Sequence, residues 1–410
     1  MSTKFHRRFS IPHFDLVEGE HEYEYEYYTA FKNSSDEFKR EIHDIYFGGE
    51  FIYELMGVPH RFGEVMGAIP SSSQVDSLFR IQEEFGVPIS LTLNSLNTHH
   101  SLASNAQVVD EFIEWLNAYY VRGLRSCTIS ATHLMRTGKL QEAFPDMNWK
   151  NTVNHQVKTT QEVYDYAALG YTTILLDRSL NRDIETLKEI YVESKKLGIK
   201  TSLLATENCM PSCPFKVEHD SWQASTDYWR NFTNTCSLWR KGSAGMPRIG
   251  TNIALVTKEL VDLFFDNVDI LKFSGRLRTA GSLSPAAMLT WHRPKPSTPE
   301  TLNELEGDVE MAPSFAYMYD RNLAPFFHDT WHIGAVSSSN IFLPPEESTV
   351  HPIWSSKKGK TMGKLLASCR NRCWDCHACE KVWKVPPFDS IIDLPTSLNL
   401  TNITNITNIT

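Results

Sequence analysis

From about residue 42 the apolar and polar positions fall into a repeating order. "IHDIYFGG" is a short apolar run ending in a Gly pair, and "SSSQVDSLFRIQEEFG" has helical spacing, a Ser-rich start and a Gly stop. "VPISLTLN" then predicts a strand, "AQVVDEFIEWLNAYYVRG" a helix with a Gly stop, and "LRSCTIS" a strand. "HLMRTGKLQEAF" predicts a helix, "WKNTVN" a weak strand and "TTQEVYDYAALG" a helix. "YTTILLD" predicts a strand, "RDIETLKEIYVESKKLG" an amphipathic helix and "IKTSLLATEN" a strand. After a long irregular insert come the helix "TKELVDLFFDN" and the strand "VDILKFSG". The strands read as short apolar runs without polar alternation, which suits a parallel sheet covered on both faces. Seven or eight such units in about 240 residues predict an α/β fold, a (β/α)8 TIM-like barrel over 42–284. A doubly wound open sheet is the competing arrangement. The barrel is preferred because "FGGEF" after the first strand lacks the G-x-G-x-x-G phosphate fingerprint.

The flanks do not follow this rhythm. Residues 1–41 read as an N-terminal extension in which "EYEYEYY", Glu22 to Tyr28, alternates strictly and predicts an edge strand. Residues 285–360, rich in Pro, Ser and Trp, read as an irregular excursion; 361–390 form a Cys-rich metal-binding segment. The low-complexity tail over 391–410 carries four N-x-[ST] sequons, which need neither structure nor sugar.

In a barrel of this type the chemistry sits at the C-terminal ends of the strands. Those ends supply Gly48, Gly49 and Glu50; Asn94; Ser130; Asn154 and His155; Asp177 and Arg178; Glu207 and Cys209; Lys272 and Arg276. Solvated loops alone would make part of such a rim polar.

Composition narrows the setting. The chain has 410 residues, 41% of them hydrophobic and 22% charged, as in ordinary soluble globular proteins. Its net charge of −9 argues against a broad electrostatic grip on nucleic acid and leaves only a local basic groove open. No apolar stretch reaches the roughly 18 residues that cross a bilayer, and Pro12, His13 and Asp15 interrupt any signal-peptide core. The expectation is a cytoplasmic protein without a membrane partner, whose thiols stay reduced.

That compartment bears on the cysteines. Four of the eight, Cys369, Cys373, Cys376 and Cys379, fall at spacings x3, x2 and x2. Cys209 and Cys213 follow the sixth strand, and Cys236 lies beyond them. Lone Cys127 reads as a small buried hydrophobe. Clustered cytosolic thiols hold metal more often than they form disulfides. One distribution uses all seven: Cys209, Cys213, Cys236 and Cys369 bind one [4Fe-4S] cluster, and Cys373, Cys376 and Cys379 hold a second metal centre. The simpler version is a four-Cys site in the tail and a three-Cys site at the barrel mouth. Zinc is the alternative in the tail, where His377 adds a ligand. Cys369-x3-Cys373-x2-Cys376 also matches the radical-SAM spacing, but it follows the last barrel strand rather than the first, and Asp375 stands where that family carries an aromatic.

Several segments resemble the U32 peptidase family. "HDIYFGGEF" resembles its first strand, "YTTILLDRSLNRDIETLKEI" the segment holding Asp177, Arg178, Ser179 and Leu180, and "VDILKFSGRLRT" the one holding Lys272, Gly275 and Arg276. The similarity spans roughly 42–280. It implies a barrel with an oxygen-sensitive [4Fe–4S] cluster, in a family of collagenase-like peptidases and proteins for oxygen-independent hydroxylation. The departures are Ser274 and Ser179 where the family has Glu, and a different spacing of the cysteine loop.

Three functions follow as expectations. The first is a redox or hydroxylating iron–sulfur enzyme in which Arg178, Lys272 and Arg276 hold an anionic substrate and Glu207 joins them as a catalytic candidate. The second is a peptidase, disfavoured because the sequence has no G-x-S-x-G or H-E-x-x-H. The third is a non-catalytic electron-transfer or zinc-stabilised binding protein; an electron donor or other protein partner suits the first and third. His99–His100, His219 and the pair His328 and His332 are further candidate ligands, each also explained by a loop.

Overall fold

The structure, a computed structural model, describes residues 9–13, 26–33, 36–64, 69–204, 216–217, 266–272, 368–370, 372–376 and 378. Strand β1 (Phe9–Pro12) precedes helices α1 (Glu26–Asn33) and α2 (Asp36–Glu41) and strand β2 (Ile42–Gly48). A hairpin of β3 (Glu50–Leu55) and β4 (Val58–Gly63) leads to α3 (Ser72–Phe85) and β5 (Ile89–Leu93). Helices α4 (Ser101–Ser104) and α5 (Ala106–Tyr120) lead to β6 (Ser126–Ile129), and α6 (Thr132–Arg136) and α7 (Lys139–Ala143) to β7 (Asn148–Lys150). Then come α8 (Thr160–Ala168), β8 (Thr173–Leu175), α9 (Ile184–Lys196), β9 (Lys200–Leu204) and β10 (Ile270–Lys272).

Eight strands close into a barrel in the order β1-β10-β9-β8-β7-β6-β5-β2. Every neighbouring pair, including β2 with β1, is parallel. This is the expected TIM-like arrangement. The helix ends are set where the sequence signals them. Ser71 and Gln74 form a capping box on α3, and Gly86 ends it at φ 62°. Thr159 and Glu162 form the same box on α8. Among the described residues no helix is long and apolar enough to cross a membrane.

Four features differ from the sequence expectations. The ring takes its first strand from residues 9–12, inside the stretch read as an extension before residue 42. Four residues are too short for a periodicity signal, but pairing on both sides fixes them. Glu26–Tyr28, expected in an edge strand, begin α1, because Tyr27, Tyr28 and Phe31 share one helical face and are buried. The helix expected over "HLMRTGKLQEAF" breaks in two at Gly138, whose φ is 74°. Finally, β3 and β4 pair as an antiparallel hairpin across Met56 and Gly57, with φ of 54° and 76°. The hairpin packs Phe51 and Phe62 against Phe112 of α5, with ring centroids 5.3 and 5.8 Å apart.

Residues paired across parallel strands face the same side, and alternate residues face opposite sides. Phe47, Leu91, Cys127 and Trp149 form one such row. Phe47 lies 6.4 Å from Tyr119 of α5, so this row faces the helices. The row is fully apolar and buried, and Cys127 behaves as the small hydrophobe expected of it. The intervening row, Gly48, Thr92, Thr128, Lys150 and Thr173, faces the barrel lumen.

Candidate functional site at the carboxyl ends of the strands

The lumen is polar, which the sequence reading missed. Lys150 Nζ on β7 donates to Asp44 Oδ2 on β2. These strands lie three places apart in the ring, so the contact crosses the interior. Ser10 Oγ on β1 donates to Asp44 Oδ1 at 2.5 Å. The side chains of Lys150 and Asp44 are only 5% and 1% exposed. Burial alone would raise the carboxyl's pKa, but the Lys150 and His43 charges and the bonds from Lys150 and Ser10 outweigh it and bring it down to about 2. Asp44 is therefore ionised. The pairing of β1 with β2 slips between Phe9↔Ile42 and Ser10↔Asp44, leaving His43 as an extra residue. Its Nε2 lies 3.8 Å from Asp44 Oδ2.

Three neighbouring hydroxyls complete the wall. Ser90, Thr92 and Thr128 are buried, and their oxygens have no hydrogen-bond partner among the described residues. Each such group costs about 1–3 kcal/mol relative to a satisfied one. The signal was present in "ISLTL" and "SCTI", where a small hydroxyl occupies every second position. Reading these as apolar runs hid a period of two.

Lys272, at the end of β10, places its ammonium 3.9 Å from the Tyr46 ring centre, and Tyr46 is the next lumen-facing residue above Asp44. Arg178 is buried in the 3₁₀ turn Arg178–Arg182 that follows β8. Asp177 caps that turn by accepting from Ser179 N at 2.8 Å. Asn181 Nδ2 ties the same turn to Leu204 O at the end of β9, at 3.3 Å.

Other rim residues support the mouth. Gly49 O accepts from Glu64 N at 2.9 Å, closing the hairpin base, and Glu50 pairs with Arg61. Asn94 Nδ2 reaches Glu64 Oε1 at 3.4 Å. Asn154 is buried in the 3₁₀ turn Val153–His155 after β7. The Ser130 hydroxyl donates to Ser95 O. His155 Nε2 lies 2.9 Å from Ser130 O. A carbonyl only accepts, so Nε2 carries the proton and Nδ1 keeps its lone pair. Burial pushes this imidazole down to about 4, against the small upward pull of the carbonyl, so it is neutral at pH 7. His99 gains a neighbour that the sequence did not reveal: the ring centres of His60 and His99 are 4.4 Å apart, and those of His99 and His100 are 4.2 Å apart.

The cysteine segment reaches the same end of the barrel. Arg370 Nη2 donates to Glu185 Oε1 at 2.9 Å. Glu185 is in the first turn of α9, and a helix following a barrel strand begins at that strand's carboxyl end. Cys369 adjoins Arg370, and Cys373 and Cys376 open and close one helical turn. Cys369 and Cys376 are not in disulfides. Among the described residues no three His, Cys, Asp or Glu come together in a metal-binding group. Glu207, Cys209, Cys213, Cys236, Arg276 and Cys379, like His219, His328, His332 and His377, lie outside the described residues.

The fold and its rim define a parallel (β/α)8-type barrel with an unusually polar lumen. No protein-family model and no curated protein matches the chain. Among solved structures, a U32 peptidase, Mk0906, is similar at 10% sequence identity and a TM-score of 0.42, over 68% of this chain and 97% of that one.

Proposed function

We propose that the protein is a barrel enzyme working at the carboxyl ends of its strands with cysteine-bound iron–sulfur, in a redox or oxygen-independent hydroxylation reaction on an anionic substrate. The observation that supports this best is the Arg370–Glu185 pair, which brings the residue next to Cys369 to the first turn of α9, at the carboxyl end of β8. The pair is exposed and therefore a marker of placement rather than a source of stability. The donor set suits the group: thiolates are the ligands of iron–sulfur clusters, and Cys369 and Cys376 are not consumed by disulfides. In this reading Cys209, Cys213, Cys236 and Cys369 hold one [4Fe-4S] cluster, and Cys373, Cys376 and Cys379 a second centre. Such a cluster supplies one-electron chemistry when bound. The chain's own cations, Lys272, Arg178 and Arg276, hold the anionic substrate, and Glu207 is the acidic group beside them.

Anaerobic purification with iron, zinc and sulfide analysis tests the reading. Cys209→Ala is expected to remove roughly half the iron and Cys376→Ala the other half. If Cys376→Ala leaves iron unchanged and removes only zinc, the two-cluster assignment is wrong. A zinc-stapled tail is then the better account, which the position of His377 between Cys376 and Cys379 favours.

A further inference from the structure

We infer that the lumen wall of β5, β6 and β7 near the carboxyl ends of the strands is an oxyanion site, built by Lys150 with the hydroxyls of Thr92, Thr128 and Ser90, which takes the carboxylate or phosphate group of a small ligand. Four adjacent strands contribute one row: Gly48, Thr92, Thr128 and Lys150. Each residue is the last or next to last of its strand, so the row lies at the mouth rather than deep in the barrel. Gly48 brings no side chain to this row, where the interior of barrels of this type ordinarily carries bulky branched residues.

The groups that line the row are donors. The Lys150 ammonium has three N–H groups, of which Asp44 accepts one among the described residues. Asp44 and Ser10 fix its position from the opposite wall. Thr128 is the register neighbour of Lys150, Thr92 that of Thr128, and Ser90 lies one layer below Thr92. All three hydroxyls are buried and without a hydrogen-bond partner among the described residues. A fold retains such groups where a bound polar group satisfies them. Lys272 adds a second cation one strand from Ser10. The spare ammonium N–H groups of Lys150 and the three hydroxyls are donors that suit an oxyanion.

The inference rests on the assignment of the reaction to this mouth, but binding is read without turnover and without metal. The probes are inorganic phosphate and acetate, at constant ionic strength with chloride as control. They are followed by thermal unfolding and by titration calorimetry on the full chain. One probe is expected to raise the unfolding midpoint saturably, and which one does so separates a phosphate from a carboxylate ligand. Thr128→Val and Thr92→Val are expected to weaken that binding by about tenfold or more. Their unliganded midpoints should hold or rise, because each loses an unsatisfied hydroxyl at nearly constant shape. Ser90→Ala carries the same test should either Val variant fail to fold. The inference is overturned if neither probe shifts the midpoint beyond chloride, or if the variants bind as well as the parent. Iron content, measured in the same variants, is expected to be unchanged, so loss of oxyanion binding and absence of a cluster are separate results.

Discussion

Replacing Lys150 by Met should be one of the most damaging single changes to the barrel, and its effect should depend on pH with an unusual sign. The side chain keeps its length and loses its charge, leaving the Asp44 carboxylate buried with Ser10 and His43 beside it. In the native protein the carboxyl stands at about 2 rather than 3.8, which corresponds to roughly 2.5 kcal/mol of stabilisation of the ionised form in the fold. Removing one partner of a buried pair costs about 3–5 kcal/mol, because the remaining charge is uncompensated. Against a typical domain stability of about 5–15 kcal/mol, that loss is visible in urea unfolding followed by far-UV circular dichroism. For the parent, the folded-state value lies below the unfolded one. Its contribution is complete above about pH 3.8 and is lost as pH falls through about 2. In Lys150→Met, burial dominates and raises the carboxyl above its unfolded value. The deficit is then largest at pH 7 and shrinks as pH falls towards 4. Asp44→Leu combined with Lys150→Met should recover much of the loss, since a well-packed apolar pair replaces an ion pair at little cost. A Lys150→Met loss below about 1 kcal/mol, or one that does not change between pH 7 and 4, would refute a buried, charged pair across the lumen.

Other outcomes follow from single sites. The His155 imidazole, held down to about 4 by burial, should stay neutral in NMR titration above pH 5; an ordinary midpoint near 6.5 would contradict its burial. Because its folded value is depressed, stability should fall as pH drops from about 6.5 towards 4, where the unfolded chain takes up a proton that the native state refuses. Gly63→Ala would bring a Cβ to 2.6 Å from Gly49 O, a backbone atom that cannot swing aside. It should destabilise the hairpin base by about 1–3 kcal/mol, read as faster amide exchange of Glu64. Burial pushes the Cys127 thiol far up, so it should resist a thiol reagent in native, chelator-treated protein while Cys376 reacts.

The barrel was legible because its evidence is local and repeated. Apolar spacing, Ser, Thr or Asp at helix starts and Gly at helix ends recur in unit after unit, and each fixes backbone conformation within a few residues. Candidate rim residues could be named because strand ends can be counted, and Lys272 and Arg178 stand at those ends in the fold. Strand β1 was not legible, because four residues carry no period of their own and become a strand only when β10 and β2 pair on either side. Nor was the helical fate of Glu26–Tyr28, where strict alternation argued for a strand and burial of Tyr27 against β1, and of Tyr28 and Phe31 against Phe85 of α3, favoured a helix.

What the chain determined by itself was therefore most of its strand–helix succession after residue 42, its parallel-barrel class and the residue types available at the mouth. Only the tertiary structure decided that Asp44, Lys150 and Ser10 meet. They come from three strands, with 106 residues separating Asp44 from Lys150, and nothing in the local pattern of any one strand records the register of another. Ring closure sets that register. It turns small hydroxyls that look incidental along the chain into one continuous polar wall, and brings Arg370, 185 residues away, to Glu185.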